Sequence, residues 1–432
     1  MVVTGRLALL VALGTIPIVL LASVLPPWAV AGGWLVLCLL AAAADAAAAG
    51  DPRAIEVRRE LPGRVLLHQS VEAVLLLHNR GARRVRGTVR DGWQPTAGAG
   101  AAREVIDLPP GERRAVPMGL RPRRRGELRS AFVAVRTLGP AGLAGRQARL
   151  DAPGALRVLP PFTARRHLPS RLARLRELDG NTSLQVRGQG TEFDSLREYV
   201  RGDDVRSIDW RATARATTTM LRTWRPERDR QVVIVVDTGR TAAARVGDGV
   251  RLDAAMEAAL LLAALAARAG DHVHLVMFDR ALRARVTGVE GAALLPALVD
   301  AMAPVEPQLI DTDWDAAFAQ VRALTSRPSL VVLLTAQDAP EAARGFLGSL
   351  PALTRRTRVL VGTAADAASA PPEHRTAHDV YREAAQERAL RDADSVAAAV
   401  RRAGAEAIAA PADELPPAVA DRYLALKAAG RL

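Results

Sequence analysis

Two uncharged apolar runs at the N-terminus constrain this chain more than anything that follows them. Leu7 to Leu25 is 19 residues long without a charge, and Trp28 to Ala44 repeats the pattern after Pro26-Pro27. A helix that spans a bilayer needs about 20 apolar residues, with a range near 17–25. Both runs qualify, and Asp45 ends the second. The connection is too short to hold a domain, so residues 1–50 are expected to form a two-helix transmembrane hairpin. Arg6 precedes the first run, and Arg53, Arg58 and Arg59 follow the second. Arginine is enriched on cytoplasmic flanks. Both flanks and the whole soluble remainder are therefore expected in the cytoplasm, anchored to the cell membrane. A cleaved signal peptide with Ala29-Val30-Ala31 as its small-residue site is the alternative, but a secreted chain has no use for the second run. Cys38 reads as a small lipid-embedded hydrophobe.

Charge and composition exclude several chemistries. The 432 residues carry 59 Lys+Arg against 46 Asp+Glu, a net charge of +13. Lys427 is the only lysine, so no G-x-x-x-x-G-K-[ST] phosphate loop exists. One cysteine excludes a disulfide framework and a Cys-based zinc cluster. The excess is local: residues 51–160 hold 21 Arg and 10 acids, or +11. Residues 161–230 give 15 minus 10, or +5, and 231–432 give 22 minus 25, or −3. A basic module beside an anionic leaflet gains on the order of 1 kcal/mol per charge. Arg121 and the run Arg123, Arg124, Arg125 are the expected membrane-proximal contacts, with anionic lipid as a possible partner. Nucleic acid is not expected, because no aromatic residues interleave with the basic run for base stacking.

Residues 51–160 read as short strands with turns between them. Val71–Leu77 ends at Asn79-Arg80-Gly81, Val85–Val89 alternates to Asp91-Gly92, and Ala115–Leu120 and Ser130–Val135 repeat the pattern. This spacing points to a β-sandwich of immunoglobulin-like type. Residues 161–230 read as a linker. Within it, carboxylates and arginines alternate: Glu192, Arg197, Asp203, Asp204, Arg206, Asp209 and Arg215, with Tyr199, Gly202 and Trp210 among them. Paired Asp203 and Asp204 raise acid–base or metal chemistry. Against that, Asp203, Asp204 and Asp209 each have an arginine within three positions, and such pairing lowers a carboxylate pKa. An ion-pair network with Trp210 as apolar anchor is the structural reading, and a docking face is the third, since Arg, Tyr and Trp dominate hot spots.

The run EF-x-x-LREY-x-x-GDD-x-R-x-IDW-x-x-x-AR resembles the bacterial "domain of unknown function 58" family. Similarity extends to the membrane hairpin, to Leu156-Arg157-Val158-Leu159-Pro160, and to the closing Arg422-Tyr423-Leu424-Ala425-Leu426-Lys427. The resemblance implies a membrane-anchored von Willebrand factor A-like protein without assigned activity. It further implies a MoxR-type AAA+ ATPase as partner, with the chain as adaptor.

Residues 231–432 alternate apolar strands with helical segments. Val232–Val236, Val273–Phe278, Leu330–Leu334, Val359–Val361 and Ala405–Ala409 are the expected strands of a doubly wound parallel sheet. Ligands of such sheets bind beyond the strand carboxyl ends, where Asp237 stands. The resemblance implies a divalent-metal pattern there, D-x-S-x-S, then a Thr and a second Asp on later loops. Asp237, Thr241 and Thr312 match. Gly239 replaces the first Ser, and Ala336, followed by Gln337 and Asp338, stands where the second Asp belongs. Magnesium would need help from Asp338, Asp311 or Asp313, so a degenerate crest is expected. His374 and His378 have a zinc spacing without the Glu of H-E-x-x-H. His272 and His274 are expected to hydrogen-bond on a sheet face. No G-x-S-x-G and no G-x-G-x-x-G after a strand occur. The reading is therefore a non-enzymatic adaptor. Its alternatives are a metal-dependent hydrolase using Asp203, Asp204 and Asp237, and a lipid- or envelope-sensing protein using the basic β-domain.

Overall fold

The computed structural model describes residues 1–21, 23–100, 103–182, 192–200, 205–225, 230–247, 249–337, 339–365 and 376–432. The chain divides into two compact units, Met1–Pro161 and Phe162–Leu432.

The first unit opens with β1 (Val2–Val3), α1 (Gly5–Ala12), α2 (Thr15–Leu21) and α3 (Pro27–Ala48). Of these helices only α3, at 22 residues, is long and apolar enough to cross a membrane. The first apolar run was expected as one helix and is instead two short ones. The break has a cause. The Gly14 N–H donates to the Val11 carbonyl (3.0 Å), and the Leu10 carbonyl accepts from the Trp34 indole Nε1 on α3 (3.1 Å). A Cβ on Gly14 would lie 2.3 Å from Trp34 Cδ1, so only glycine lets the indole in. Pro17 falls in the first turn of α2, where a missing N–H costs nothing. Cys38 is buried in α3, as a small hydrophobe is expected to be.

α3 ends against a β-hairpin. The remaining strands of this unit are β2 (Ile55–Glu60), β3 (Arg64–Leu66), β4 (Val71–Asn79), β5 (Val85–Trp93), β6 (Glu104–Leu108), β7 (Arg113–Leu120), β8 (Gly126–Leu138) and β9 (Ala144–Leu159). Asp45 is 6% exposed at the end of α3. Its carboxylate accepts the backbone N–H groups of Ala141 (2.8 Å), Leu143 (2.7 Å) and Ala144 (3.0 Å), in and just after the β8–β9 turn. Arg146 donates to the Ala46 carbonyl and Arg83 to the Ala47 carbonyl, satisfying the open end of α3. β1 pairs with β9 at Gly145 and Ala144, and Thr4 donates to the Gly142 carbonyl. The segments before and after the apolar helices therefore meet at one turn.

Two sheets enclose one core. One runs β1-β9-β8-β5-β6 with β3 on β9, the other β2-β4-β7. Along β5 the burial alternates strictly, with Val85, Val89 and Trp93 inward. Leu75, Leu77, Ile106, Leu108, Val133, Val135 and Leu156 fill the space between the sheets. A buried ion pair ties them: Arg59 Nη2 lies 2.5 Å from Asp91 Oδ1, with Ser130 and the Trp93 indole also donating to Asp91. The arginines expected as membrane-proximal contacts stand at the far end of β8 from the turn that holds α3. Arg121 to Arg125 precede β8, whose other end leads to the turn that holds α3. Its 13 residues at about 3.3 Å each separate them by roughly 40 Å. Arg125 is itself buried. Nearness in sequence to the membrane segment did not translate into nearness in space, because β8 carries the chain away from it.

In the second unit, α4 (Leu168–Thr182) follows Phe162. Phe162, Leu168, Leu172 and Leu175 pack into the main core of this unit, so the start of the expected linker is core. β10 (Glu192–Glu198), α5 (Trp210–Thr213) and β11 (Met220–Arg225) come next, with β10 and β11 an antiparallel pair. The large sheet uses β12 (Gln231–Asp237), β15 (His272–Phe278), β16 (Leu282–Val286), β17 (Leu330–Leu334), β18 (Arg358–Ala365) and β19 (Glu406–Pro411). β13 (Arg245–Val246) and β14 (Gly249–Val250) form a separate small pair. The sheet order is β16-β15-β12-β17-β18-β19, parallel except for the β16 edge, which sequence reading missed. Helices α6 (Arg251–Arg268), α7 (Leu294–Met302), α8 (Trp314–Leu324), α9 (Arg344–Ser349), α10 (Pro351–Thr354), α11 (Ala377–Arg402) and α12 (Leu415–Ala428) complete it. Val232, Ile234 and Val236 pack with α6, α7 and α12, while Val233 and Val235 pack with Trp314, Phe318 and Phe346. A strand buried on both faces has no polar side, hence its unbroken apolar run.

The lone lysine has a place in this core. Lys427 Nζ donates to Asp271 Oδ1 (3.2 Å) and to the Ala269 carbonyl (3.0 Å) just beyond α6, and the Tyr423 hydroxyl donates to Asp271 Oδ2. An ammonium serves both acceptors from one buried point, which a planar guanidinium does poorly. In the first unit, replacing Asp91 with Ala strands the Arg59 guanidinium without its counter-ion. That change is expected to cost about 3–5 kcal/mol, read by chemical denaturation of the full chain in detergent. A midpoint unchanged from wild type would refute the role given to this pair.

Candidate functional site

The crest of the large sheet gathers one carboxylate and three threonine hydroxyls. Asp237 stands there because the apolar run before it is drawn into the sheet centre, between β15 and β17. Its carboxylate is 4% exposed. Oδ1 accepts from the Gly239 N–H (2.8 Å) and Thr312 Oγ1 (2.5 Å). Oδ2 accepts from Thr335 Oγ1 (2.6 Å) and Thr241 Oγ1 (3.4 Å). Burial pushes the Asp237 carboxyl up from its ordinary value, against the pull of Thr312, Thr335, the Gly239 N–H and Thr241. Thus the structure brings together the three crest residues read from sequence, Asp237, Thr241 and Thr312. It adds Thr335, missed although it directly precedes the position scanned for the second Asp.

A second buried carboxylate sits beside it. Asp279 follows β15 as Asp237 ends β12, a repeat visible in Val236-Asp237-Thr238 and Phe278-Asp279-Arg280 but passed over. Thr238 Oγ1 donates to Asp279 Oδ2 (3.0 Å), Arg283 Nε donates at 2.7 Å, and the Ala281 N–H at 3.0 Å. Burial works against ionisation here too, but the Arg283 guanidinium and the backbone N–H groups outweigh it and hold the carboxyl below its usual range. The two neighbours are shifted in opposite directions because only one of them has a cation.

This donor set does not fit a hard divalent ion. Such an ion takes oxygen ligands with carboxylate charge to balance it. All four hydrogen-bond directions of Asp237 are already in use. A Cβ on Gly239 would lie 2.3 Å from Thr312 Oγ1, so the threonine hydroxyl occupies the place of the missing serine. Ala336 is buried where the second carboxylate belongs, and Gln337 Nε2 donates to Thr335 Oγ1 (3.2 Å). Asp311 points outward and pairs with Arg240 (3.2 Å), and Asp313 caps α8 by accepting from the Ala316 N–H. Asp338 lies outside the described residues. Among the described residues no group of three His, Cys, Asp or Glu is placed to hold a metal. His374 is also outside them, and His378 contacts Arg382. His274 bonds Thr287 and Gln231 on the sheet, and His272 meets Glu290.

The arginine–carboxylate motif has its own geometry. Gly202, Asp203 and Asp204 lie outside the described residues. Glu192 opens β10 opposite Arg225, and Arg197 stands opposite Leu221 and donates to the Glu198 carbonyl. The Tyr199 N–H donates to the Thr219 carbonyl (2.8 Å). Asp209 caps α5, accepting the Arg211 and Ala212 N–H groups (both 3.0 Å) and pairing with Arg222 (2.5 Å). Those N–H groups and the Arg222 guanidinium lower its pKa. Arg206 and Arg215 are exposed. Trp210 was expected as an apolar anchor, yet it is 70% exposed. The cap at Asp209 turns residue 210 into the first position of α5, facing outward. Leu196, Val200 and Val205 are exposed in the same segment.

The chain is thus an α/β protein with a β-rich N-terminal unit, one apolar helix among the described residues fit to cross a membrane, and a hydroxyl-ringed carboxylate at its sheet crest. Residues 195–399 match the family model described as Protein of unknown function DUF58, which supports placing the chain in that family. No curated protein matches it. Among solved structures, the C-terminal part of an Escherichia coli alpha-2-macroglobulin is 12% identical, over 24% of this chain and 16% of that one, with a TM-score of 0.21. A CARDB domain from Pyrococcus furiosus is 17% identical over 24% of this chain and 91% of its own, at 0.19. A PapD-like domain of human CEP192 is 13% identical over 25% and 89%, at 0.17. Scores this low carry no argument about fold or function.

The raised Asp237 carboxyl makes a signed prediction. A carboxyl whose folded pKa is raised gives its full contribution to stability below the unfolded pKa and loses it as pH rises through the folded one. Asp237→Asn removes that titration. The stability of this variant relative to wild type should rise as pH climbs above the ordinary carboxyl value, read by denaturant midpoints. A relative stability that falls with pH would show an ionised, stabilising carboxylate instead.

Proposed function

We propose that this protein is a non-enzymatic adaptor anchored in the cell membrane, with a von Willebrand A-like second unit. Its partner would be an AAA+ ATPase of the MoxR type, as the family resemblance implies. One observation carries the docking role: Trp210 stands 70% exposed on a helix turn fixed by the Asp209 cap and the Arg222 pair. An exposed tryptophan on rigid backbone, flanked by Val205 and by Arg206 and Arg215, has the composition of an interface hot spot. No ATP-binding loop is present, so any ATP turnover would come from the partner.

The membrane part of this reading has a specific support. β1 and Asp45 flank the apolar helices and meet the same β8–β9 segment. That common meeting point favours a chain that goes in and comes back, hence two spans, and the arginines Arg6, Arg53, Arg58 and Arg59 on both flanks favour a cytoplasmic soluble part. The crest supports the non-enzymatic part. A hydrolase built on Asp237 would need a carboxylate open to substrate or metal, and this one is buried under four donors.

The test is in-membrane photo-cross-linking from a probe placed at position 210, with a pull-down of Trp210→Ala alongside. Capture of an AAA+ ATPase from native membranes, reduced at least fivefold by Trp210→Ala, is expected. Capture that is equal in the variant, or replicates without any AAA+ ATPase, would contradict the adaptor reading.

A further inference from the structure

The outer face of the first unit holds an arginine-lined concavity of about 420 Å³. Its walls carry Arg90 on β5, Arg103 before β6, Arg129 and Arg136 on β8, and Arg149 on β9. No carboxylate lines it. We propose that this concavity is a binding site for a soluble, phosphate-bearing small anion.

Local backbone geometry shows how the site is made. β5 and β8 lose register at one point: Asp91 pairs with Val133 and Trp93 with Ser130, so Gly92 alone faces Ala131 and Phe132. β8 and β9 shift at the same level, between Ser130 and Phe132. Bulges bend a sheet and re-aim side chains, and they recur beside functional sites. Here the bend is coupled to a glycine. A Cβ on Gly92 would lie 2.9 Å from the Phe132 ring and 2.6 Å from the Phe132 carbonyl oxygen. Without that Cβ the Phe132 ring lies across β5 and helps line the pocket, with Arg149 5.0 Å from its centroid.

The cross-strand register then stacks the cations. Arg90 faces Ala134, which faces Arg149, and Thr88 faces Arg136, which faces Gln147. Small residues at the centre leave the space open, and long cationic ones stand around it. Arg136 donates to Gln147 Oε1, and Arg129 pairs with Glu127, but Arg90, Arg103 and Arg149 have no carboxylate partner among the described residues. Cations lining one concavity repel one another unless an anion joins them. Guanidinium groups bind phosphate bidentately, and several together select a multiply charged ligand. The volume lies in the range of small-ligand pockets.

Position favours a soluble anion over a lipid headgroup. The Arg136–Gln147 level lies two residues along β8 from Leu138, about 7 Å from the turn that holds α3, and the Arg90–Ala134–Arg149 level lies about 13 Å from it. Arg129 lies nine residues away, roughly 30 Å. Most of the concavity thus extends along the strands away from the helix exit, with only its Arg136 end near it. The proposal stands apart from the crest and from the motif around Trp210, so neither outcome there decides it.

Isothermal titration of the full chain in detergent with inorganic tripolyphosphate tests it. Saturable binding at one site per chain is expected, weakened at least tenfold in the double variant Arg90→Gln/Arg149→Gln. Both side chains are exposed, and the variant's thermal midpoint is measured to confirm that it folds. A water-soluble short-chain phosphatidic acid is titrated in parallel. Absence of saturable tripolyphosphate binding, binding unchanged in the folded double variant, or saturation by the phosphatidic acid alone would each overturn the proposal.

Discussion

The burial of one carboxylate at the end of the central strand governs what the second unit can do. Asp237 follows five residues that are apolar because β12 is covered on both faces. Its chain position is therefore fixed by the core, and its desolvation follows. A buried carboxylate requires a cation, a proton or a full set of donors. This chain supplies donors, from Thr241, Thr312, Thr335 and the Gly239 backbone. The neighbouring Asp279 has the other solution, a guanidinium from Arg283. One crest thus contains both ways of keeping a carboxylate out of water, four donors in one case and a counter-ion in the other.

The first unit depends on a comparable contact. Asp45 is the acidic residue that ends the apolar run, and it serves as the acceptor for three N–H groups of the β8–β9 hairpin. Through it the helix that can cross a membrane is held rigidly to a β-sheet core. Arg146 and Arg83 complete the joint at the carbonyl end of the helix, and β1 pairs on the same hairpin. The lone lysine shows the same economy of specific contacts in the second unit. Against 58 arginines, the one ammonium sits where Asp271 and the carbonyl of Ala269 converge.

Much of this was legible in the sequence, and the failures have physical causes. The apolar strands Val232–Val236 and Leu330–Leu334 were readable because burial on both faces leaves a strong pattern. Asp237 was readable from its position after a strand, and Thr241 and Thr312 through the pattern that the family resemblance implies. Thr335 was not, since a hydroxyl inside an apolar run has no periodic signal. The first apolar run looked continuous because Gly14 and Pro17 are tolerated in apolar helices, and only the approach of Trp34 selects the break. The distance of Arg121 to Arg125 from the end of α3 was not legible because charge counts carry no direction, and β8 leads away from that end. The arginines of the concavity are scattered over 60 residues and become a cluster only through cross-strand register and two bulges. Trp210 was read as an anchor because tryptophan is commonly buried, while the Asp209 cap turns it outward.

The hydroxyl-filled crest separates a protein-binding scaffold from a metal-dependent domain, and titration of the full chain in detergent with Mg²⁺ and Mn²⁺ examines it directly. The structure predicts no saturable heat with either ion up to millimolar concentration, for wild type and for Asp237→Ala alike. Micromolar binding in the wild type that disappears in Asp237→Ala would contradict the account.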